Sequence, residues 1–382
     1  MRLWLALCLA AIALFLAAWM FIPAPTYLLL TFSVGAPEVS LWIVLGALAS
    51  IAIALVDVRQ SLLARIAAAM GGVALLLAVT PMVRFPGTAR AFAATMRDMS
   101  AEPESPARSA PLVLRDLLFG IDRGTARVTR GVPFAKPGGK QLTLDVYQPT
   151  RRGHFPVLVQ IYGGAWQGGQ PADNANFATL LASHGWVVFA IDYRHAPSVR
   201  WPALLDDVDS SLVWIRDYAA EYDGDATRVV LMGRSAGAHL AMVAAYRHPV
   251  LNVHGVVSYY GPADLADAYS HPPSPDPLHI RSVEETLIGG APDQMPTAYA
   301  DASPVTYATT ALPPTLLVYG RRDHIVEPRY GAQLRDRLAA SGTRVAYLEI
   351  PWADHAFDAV FNGISSQLAL YHTERFLAWA VR

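Results

Sequence analysis

The chain has 382 residues, a formal net charge of −1 and a single cysteine, with 53% hydrophobic and 16% charged residues. That length gives room for one large domain plus an additional region. A near-zero charge without a basic block gives no pointer to nucleic acid, and the lone Cys8 excludes internal disulfides and cysteine-based metal sites.

The apolar excess lies in the first 83 residues. Residues 3–22 are uncharged and match the length of a membrane-spanning helix, about 20 residues. Arg2 precedes them, so a cleaved signal peptide is an alternative. The run is longer than a typical apolar signal core, and no small-x-small cleavage site follows it. Pro23 and Pro25 end this helix. Residues 39–56 form a second uncharged run and residues 62–83 a third, with Arg65 near its start. Three spans within residues 1–85 are therefore expected. Arg2, Arg59 and Arg65 favour the ends they flank as cytoplasmic, although Arg84, Arg90 and Arg97 oppose this. The expectation is a multi-pass protein of a bacterial inner membrane, with the rest of the chain outside the cytoplasm.

Residues 86–115 are Ala-, Ser- and Pro-rich around scattered charge and read as a juxtamembrane helix or linker. Residues 116–382 have the composition of a soluble domain. Two alternating stretches, 127–132 and 141–147, flank Pro137-Gly138-Gly139 and predict a hairpin. Short apolar runs at 157–161, 187–191, 229–232, 255–259, 316–319 and 345–350 predict buried strands. Helical stretches at 177–183, 203–222, 238–247 and 333–340 separate most of them. The fold class is α/β, a mostly parallel sheet with helices on both faces, preceded by an all-α transmembrane region of about three helices. Residues 262–310 break the alternation with a Pro-rich segment. They form either a lid over a site or an irregular excursion.

The chemistry centres on Gly233-Arg234-Ser235-Ala236-Gly237, which follows an apolar run and precedes a helix-forming stretch. Strand, tight turn and helix in that order lift a serine hydroxyl above the carboxyl edge of a sheet. A serine needs a base, and the base needs an orienting carboxylate. Asp323 and His355 each follow a predicted strand, and with Ser235 they give the chain order Ser, Asp, His. Asp354, Asp358 and Glu327 are weaker candidates for the acid. His184, His195, His248 and His324 lack a matching strand context, and His239 falls one helical turn past the serine, packed beneath the turn. Tyr162-Gly163-Gly164-Ala165-Trp166 follows an early strand. Gly163 shapes its turn, and the N–H groups of Gly164 and Ala165, with that of Ala236, are the expected oxyanion donors.

These pieces resemble the α/β-hydrolase carboxylesterases of the hormone-sensitive-lipase and feruloyl/acetylxylan-esterase-like groups. The Tyr162–Trp166 loop is similar to their His-Gly-Gly-x-Trp loop, and Asp192-Tyr193-Arg194-His195-Ala196-Pro197 to their Asp-Tyr-Arg-Leu-Ala-Pro stretch. Gly320-Arg321-Arg322-Asp323 and Asp354-His355 match the triad loops. The likeness covers residues 116–382. It implies an α/β-hydrolase fold and ester hydrolysis through an acyl-enzyme, with no cofactor and no metal. Tyr162 stands where the family has histidine, a side chain that braces the loop. The expected partners are a small-molecule or lipid ester and the membrane. Alternatives are a lipase or acyltransferase acting on membrane lipids, and a catalytically silent binding or sensor module.

Overall fold

Eight strands organise the molecule, and the computed structural model describes residues 1–99, 108–247 and 250–382. They are β1 (Arg127–Ala135), β2 (Leu142–Gln148), β3 (Phe155–Ile161), β4 (Val187–Ile191), β5 (Gly224–Arg234), β6 (Val253–Tyr259), β7 (Thr315–Gly320) and β8 (Val345–Ile350). Their order across the sheet is β1-β2-β4-β3-β5-β6-β7-β8. The predicted hairpin is present: β1 pairs antiparallel with β2, and β2 antiparallel with β4. Every other pairing is parallel. The central strands are continuous apolar runs because both their faces are covered. All five residues of β4 are buried. Ile161, Gly233 and Ser258 lie side by side in register, so the carboxyl ends of β3, β5 and β6 open at one level.

The first five helices are α1 (Arg2–Ala18), α2 (Tyr27–Glu38), α3 (Ser40–Leu55), α4 (Leu62–Ala78) and α5 (Thr80–Asp98). The sheet domain adds α6 (Leu114–Phe119), α7 (Ala175–Ser183), α8 (Ala203–Tyr218), α9 (Ala236–Arg247), α10 (Leu265–Ser270), α11 (Ile280–Ile288), α12 (Pro296–Ala302), α13 (Pro328–Ala340) and α14 (Ile364–Ala380). The stretch expected as one helix over 203–222 ends its α-helical part at Tyr218 and tightens into a 3₁₀ turn, Ala219–Tyr222. The Pro-rich 262–310 segment holds α10, α11 and α12 rather than an irregular excursion. The final helix, α14, carries an apolar face that escaped the sequence reading. Twelve of its residues are buried, four of them Ser, Gln or Thr.

Helices α1, α3 and α4 pack through small residues. Ala6, Ala10, Ala13 and Ala17 of α1 are buried, as are Ala64, Ala67, Gly71, Ala74 and Ala78 of α4. Small side chains let the backbones approach, close enough for Ser50 Oγ to donate to the Ala6 carbonyl at 2.8 Å. The three expected apolar runs are all helical, but they differ in reach. One continuous helical stretch, Leu62–Asp98, is long and apolar enough to cross a membrane. A second qualifies if α2 and α3, bent by 81° at their junction, count as one. Helix α1 is shorter than that limit.

Of the two readings for residues 86–115, the structure has the helix over the first part of the stretch. Helix α5 continues to Asp98 and buries Phe85, Phe92 and Met96 in the same core as the sheet. Its Phe92 ring meets His372 of α14 edge to face at 5.6 Å. Beyond residues 100–107, which lie outside the described part, Arg108 is buried against α14 and hydrogen-bonds Gln367 at 2.9 Å. Apolar side chains in a nominal linker thus attach it to the domain. Helix α2 joins it too: Glu38 accepts from the Ser365 N–H at 2.8 Å, pairing one of the open donors at the start of α14.

Phe92 is 4% exposed. Phe92→Ala is expected to cost about 3–5 kcal/mol, the range for a buried aromatic truncation. Denaturant unfolding followed by both far-UV and tryptophan signals checks this. Coincident, shifted transitions place α5 in the domain's cooperative unit.

Candidate active site

The site begins where β5 ends. Ser235 sits alone between Arg234 of β5 and Ala236 of α9, with φ +51°. That left-handed backbone costs of order 1–3 kcal/mol for a non-glycine residue and persists only when its surroundings fix it. Here they do. A Cβ on Gly233 would lie 2.1 Å from the Gly237 carbonyl oxygen. One on Gly237 would lie 2.2 Å from the Tyr162 carbonyl oxygen. Only glycine fits at either place. The Ser235 N–H donates to the Tyr259 carbonyl at 2.9 Å, tying the turn to β6.

Ser235 Oγ lies 3.0 Å from His355 Nε2, and His355 Nδ1 lies 2.8 Å from Asp323 Oδ2. Asp323 is 3% exposed. Its other oxygen accepts from the N–H groups of Ile325 at 2.9 Å and Val326 at 2.8 Å. That leaves Oδ2 free for the imidazole, so Nδ1 carries the proton and Nε2 faces the serine as an acceptor. Burial raises the Asp323 pKa, and the adjacent imidazole partly offsets this. The competing acids go elsewhere. Asp354 accepts from the His355 N–H at 2.7 Å and meets His324 Nδ1 at 3.1 Å. Glu327 pairs with Arg329 at 2.5 Å. His184 pairs with Glu374 at 3.0 Å, and His248 lies outside the described residues.

The loop after β3 supplies the opposite wall. Gly164 has φ +129°, and a Cβ there would stand 2.3 Å from the Gly168 carbonyl oxygen. Ala165 and Trp166 follow with φ of +52° and +59°. Gly163 presses on the turn from the other side, where a Cβ would be 2.7 Å from the Arg234 carbonyl oxygen. Among the described residues, the N–H groups of Gly164, Ala165 and Ala236 are not engaged by another protein group. Buried His239 lies beneath the turn, as the sequence reading has it, and also locks the loop. Trp166 Nε1 donates to its Nδ1 at 3.1 Å, and its Nε2 donates to the Ala302 carbonyl at 2.6 Å. Burial pulls its pKa down to about 4, so it stays neutral and keeps both bonds.

Tyr162 takes over the bracing role. Its hydroxyl donates to Asp192 Oδ1 at 2.5 Å and lies 2.9 Å from His195 Nε2. Its ring stacks on Tyr193 at 4.5 Å. The Tyr193 hydroxyl in turn donates to the Tyr162 carbonyl at 3.1 Å. The stretch 192–197 is therefore the partner of the loop.

Ser235 opens into a mostly apolar cleft. It is lined by Ala165, Trp166 and Ala236 beside the serine, by Leu278, Ile280 and Val283 of the 262–310 segment, and by Ile325, Val326 and Tyr330. The 262–310 segment thus lines the site. Trp201 Nε1 holds it by donating to Asp301 at 2.8 Å, and Arg329 pairs with Asp267 at 2.7 Å. Among the described residues, no group of His, Cys, Asp and Glu could hold a metal ion.

The BD-FAE family model matches residues 144–338, about half of the chain, including Ser235 and Asp323 and stopping short of His355. The chain belongs to the BD-FAE family. Among curated relatives, Esterase LipQ of Mycobacterium tuberculosis is 31% identical over 293 residues, 70% of this chain and 67% of that protein. The probable carboxylic ester hydrolase LipM of the same organism is 33% identical over 59% of this chain and 54% of its own length. The chain therefore spans from about half to two thirds of these relatives. Two solved structures share the fold. A bacterial heroin esterase superposes with a TM-score of 0.60 at 20% identity, covering 78% of this chain and 93% of that one. The propionate-bound esterase Est2 of Thermogutta terrifontis gives 0.54 at 22%, over 68% and 96%. The relatives support carboxylic ester hydrolase activity, and the structures fix the α/β-hydrolase fold.

One feature lay beyond sequence reading. Arg234, inside the turn motif, is buried and pairs with Asp358 at 2.5 Å, and Asp358 also accepts from the Tyr260 hydroxyl. The Tyr260 ring lies 4.6 Å from that of His355. The pair joins the serine turn to the histidine loop across 124 residues, a separation with no local signal. Asp358→Ala leaves the Arg234 guanidinium buried without its carboxylate and is expected to cost about 3–5 kcal/mol. Urea unfolding of the variant beside the parent checks this.

Proposed function

We propose that this BD-FAE protein is a membrane-anchored serine esterase that acts through an acyl-enzyme. The observation that carries the reading is the continuous hydrogen-bonded chain from Ser235 through His355 to Asp323 at the mouth of an apolar cleft. Ser235 Oγ attacks the ester carbonyl while His355 Nε2 takes its proton. The carbonyl oxygen becomes an oxyanion and accepts from the free N–H groups of Gly164, Ala165 and Ala236. Asp323 holds the Nδ1 proton and stabilises the imidazolium. His355 then returns its proton to the leaving alcohol as the C–O bond breaks. Water, deprotonated by His355, attacks the acyl-serine, and the acid leaves as Ser235 recovers its proton. Gly163 and Tyr162 hold the loop in shape throughout.

Ser235→Ala is expected to lower kcat on p-nitrophenyl butyrate by about 10⁴- to 10⁶-fold. The comparison uses the detergent-solubilised full chain with acetate, butyrate and laurate esters. Activity that peaks at laurate moves the reading to a lipase. A label from an acyl donor appearing on glycerol or lysolipid moves it to an acyltransferase. Equal activity of parent and variant, or none in either, removes Ser235 as nucleophile and favours a silent binding module.

The membrane part of the proposal places residues 1–85 in the bilayer and 116–382 as the catalytic domain. It is supported by large apolar side chains pointing outward from α1, α3 and α4, among them Trp4, Ile12, Leu48 and Leu76, the last 72% exposed. Exposed apolar surface of this extent marks a face that meets lipid or another protein. Three spans with Arg2 cytoplasmic set the catalytic domain outside the cytoplasm. In a bacterial host, a C-terminal alkaline phosphatase fusion is then expected to be active and a β-galactosidase fusion inactive. The reverse pattern inverts the topology.

A further inference from the structure

The cleft that holds Ser235 is apolar except at one wall. There α11 presents Glu284, 2% exposed, and the N-cap residue of α10 presents Asp264. Asp264 is occupied, since it accepts from the Asp267 N–H at 3.1 Å. Glu284 is not. Its Oε2 is fully enclosed with no hydrogen-bond partner, and the nearby Tyr299 hydroxyl is likewise buried and unpaired. An enclosed carboxyl without a partner is costly, and a leucine of similar size would fill the same wall without that cost. Leu278, Ile280 and Val283 show that the same segment lines the cleft with aliphatic residues.

We infer that Glu284 is a specificity residue, and that the substrates are esters bearing a neutral hydrogen-bonding group, such as a keto, amide or hydroxyl oxygen, on the arm that enters this cleft. The inference rests on the serine-esterase reading for the position of the scissile bond. Burial, with Asp264 adding to it, pushes the Glu284 carboxyl up to about 9. At neutral pH it therefore carries a proton. A protonated carboxyl donates to a carbonyl or ether oxygen and accepts from an O–H or N–H, so one side chain serves each of these groups. Tyr299 and Asp264 are the titratable groups that face it. A plain alkyl arm leaves the Glu284 carboxyl unpaired in the complex as it is in the free protein, so the site gains most from an arm that brings its own partner.

The test uses near-isosteric esters on the full chain in detergent: p-nitrophenyl levulinate against p-nitrophenyl 4-methylpentanoate for the acyl arm, and 3-oxobutyl butyrate against isopentyl butyrate for the alcohol arm. In at least one pair the parent is expected to prefer the keto ester in kcat/KM by about 5–10-fold, the worth of one hydrogen bond. Glu284→Leu is expected to lose that preference through KM while keeping or raising kcat/KM on the hydrocarbon ester. Glu284→Gln, which both donates and accepts, is expected to retain it. The parent's preference is also expected to fade above about pH 9, as the carboxyl ionises, and that of Glu284→Gln to be flat with pH. A parent and Glu284→Leu with equal ratios in both pairs overturn the inference. So does a stronger preference for butyrylthiocholine over its uncharged 3,3-dimethylbutyl analogue, which marks the wall as a cation site. Failure of the esterase reading is separately visible as inactivity on every ester. In that case the thermal shift of Ser235→Ala with methyl levulinate, against methyl 4-methylpentanoate, decides: a larger shift with the keto compound, lost in the Glu284→Leu double variant, supports the polar wall, and equal shifts overturn it.

Discussion

The close approach of two backbones at the carboxyl ends of β3 and β5 is the constraint on which the site depends. Ile161 and Gly233 are register partners, and α9 starts so soon after β5 that Gly237 touches the carbonyls of Ile161 and Tyr162. A side chain at Gly233 or Gly237 would force these segments apart by more than an ångström, since a Cβ there would sit at about two-thirds of normal contact distance. The contact holds Ser235 in its strained conformation and sets the start of α9 beside the loop that begins at Tyr162. The candidate nucleophile and the candidate oxyanion donors are therefore fixed by one packing event. Positioning of this kind lowers the reorganisation needed as charge develops.

Around that contact, polar side chains act as long-range ties. Arg234 and Asp358 bind the serine turn to the histidine loop. His239 binds the oxyanion loop to the end of α12, and with it the segment that lines the cleft. Tyr162 and Asp192 bind the loop to the end of β4. Each tie pairs polar groups that are wholly or partly buried, so each contributes where an unpaired group would cost, although Arg234 Nη1 keeps no partner. Of the described residues that line the cleft, Glu284 alone carries an enclosed side-chain polar atom without a partner, and that is what points to a ligand. The N-terminal helices are joined in the same way. Glu38 reaches the start of α14, and α5 adds Phe85, Phe92 and Met96 to the domain's core.

How much of this the sequence showed follows from the range of each interaction. Strands β3 to β7 were legible because a buried parallel strand is a short continuous apolar run, and the edge strand β8 because it is rich in apolar and β-branched residues, with buried positions alternating with half-buried ones. The hairpin was legible from Pro137-Gly138-Gly139 between alternating stretches. The helices of 262–310 were hidden by prolines that mark turns between short helices. Helix α5 was one of two readings, but its packing against the domain was hidden, because its apolar residues fall among prolines and arginines and its partner face lies on α14. Helix α14 was masked by the Ser, Gln and Thr residues that it buries. The serine turn, the glycine loop and the order Ser235, Asp323, His355 could be read because each depends on its own few residues and on following a strand.

By itself, then, the sequence determined the class of sheet, the placing of the candidate nucleophile, acid and base at strand ends, and the apolar character of the first helices, all of which are properties of local pattern. Only the tertiary structure decided that the Tyr162 hydroxyl is bonded to Asp192, that Arg234 is bonded to Asp358, that the stretch up to Asp98 packs on the domain, and that Glu284 lines the cleft without a partner. Those outcomes depend on which residues meet across tens to hundreds of positions, and no periodicity or spacing along the chain encodes such a meeting until the core has packed.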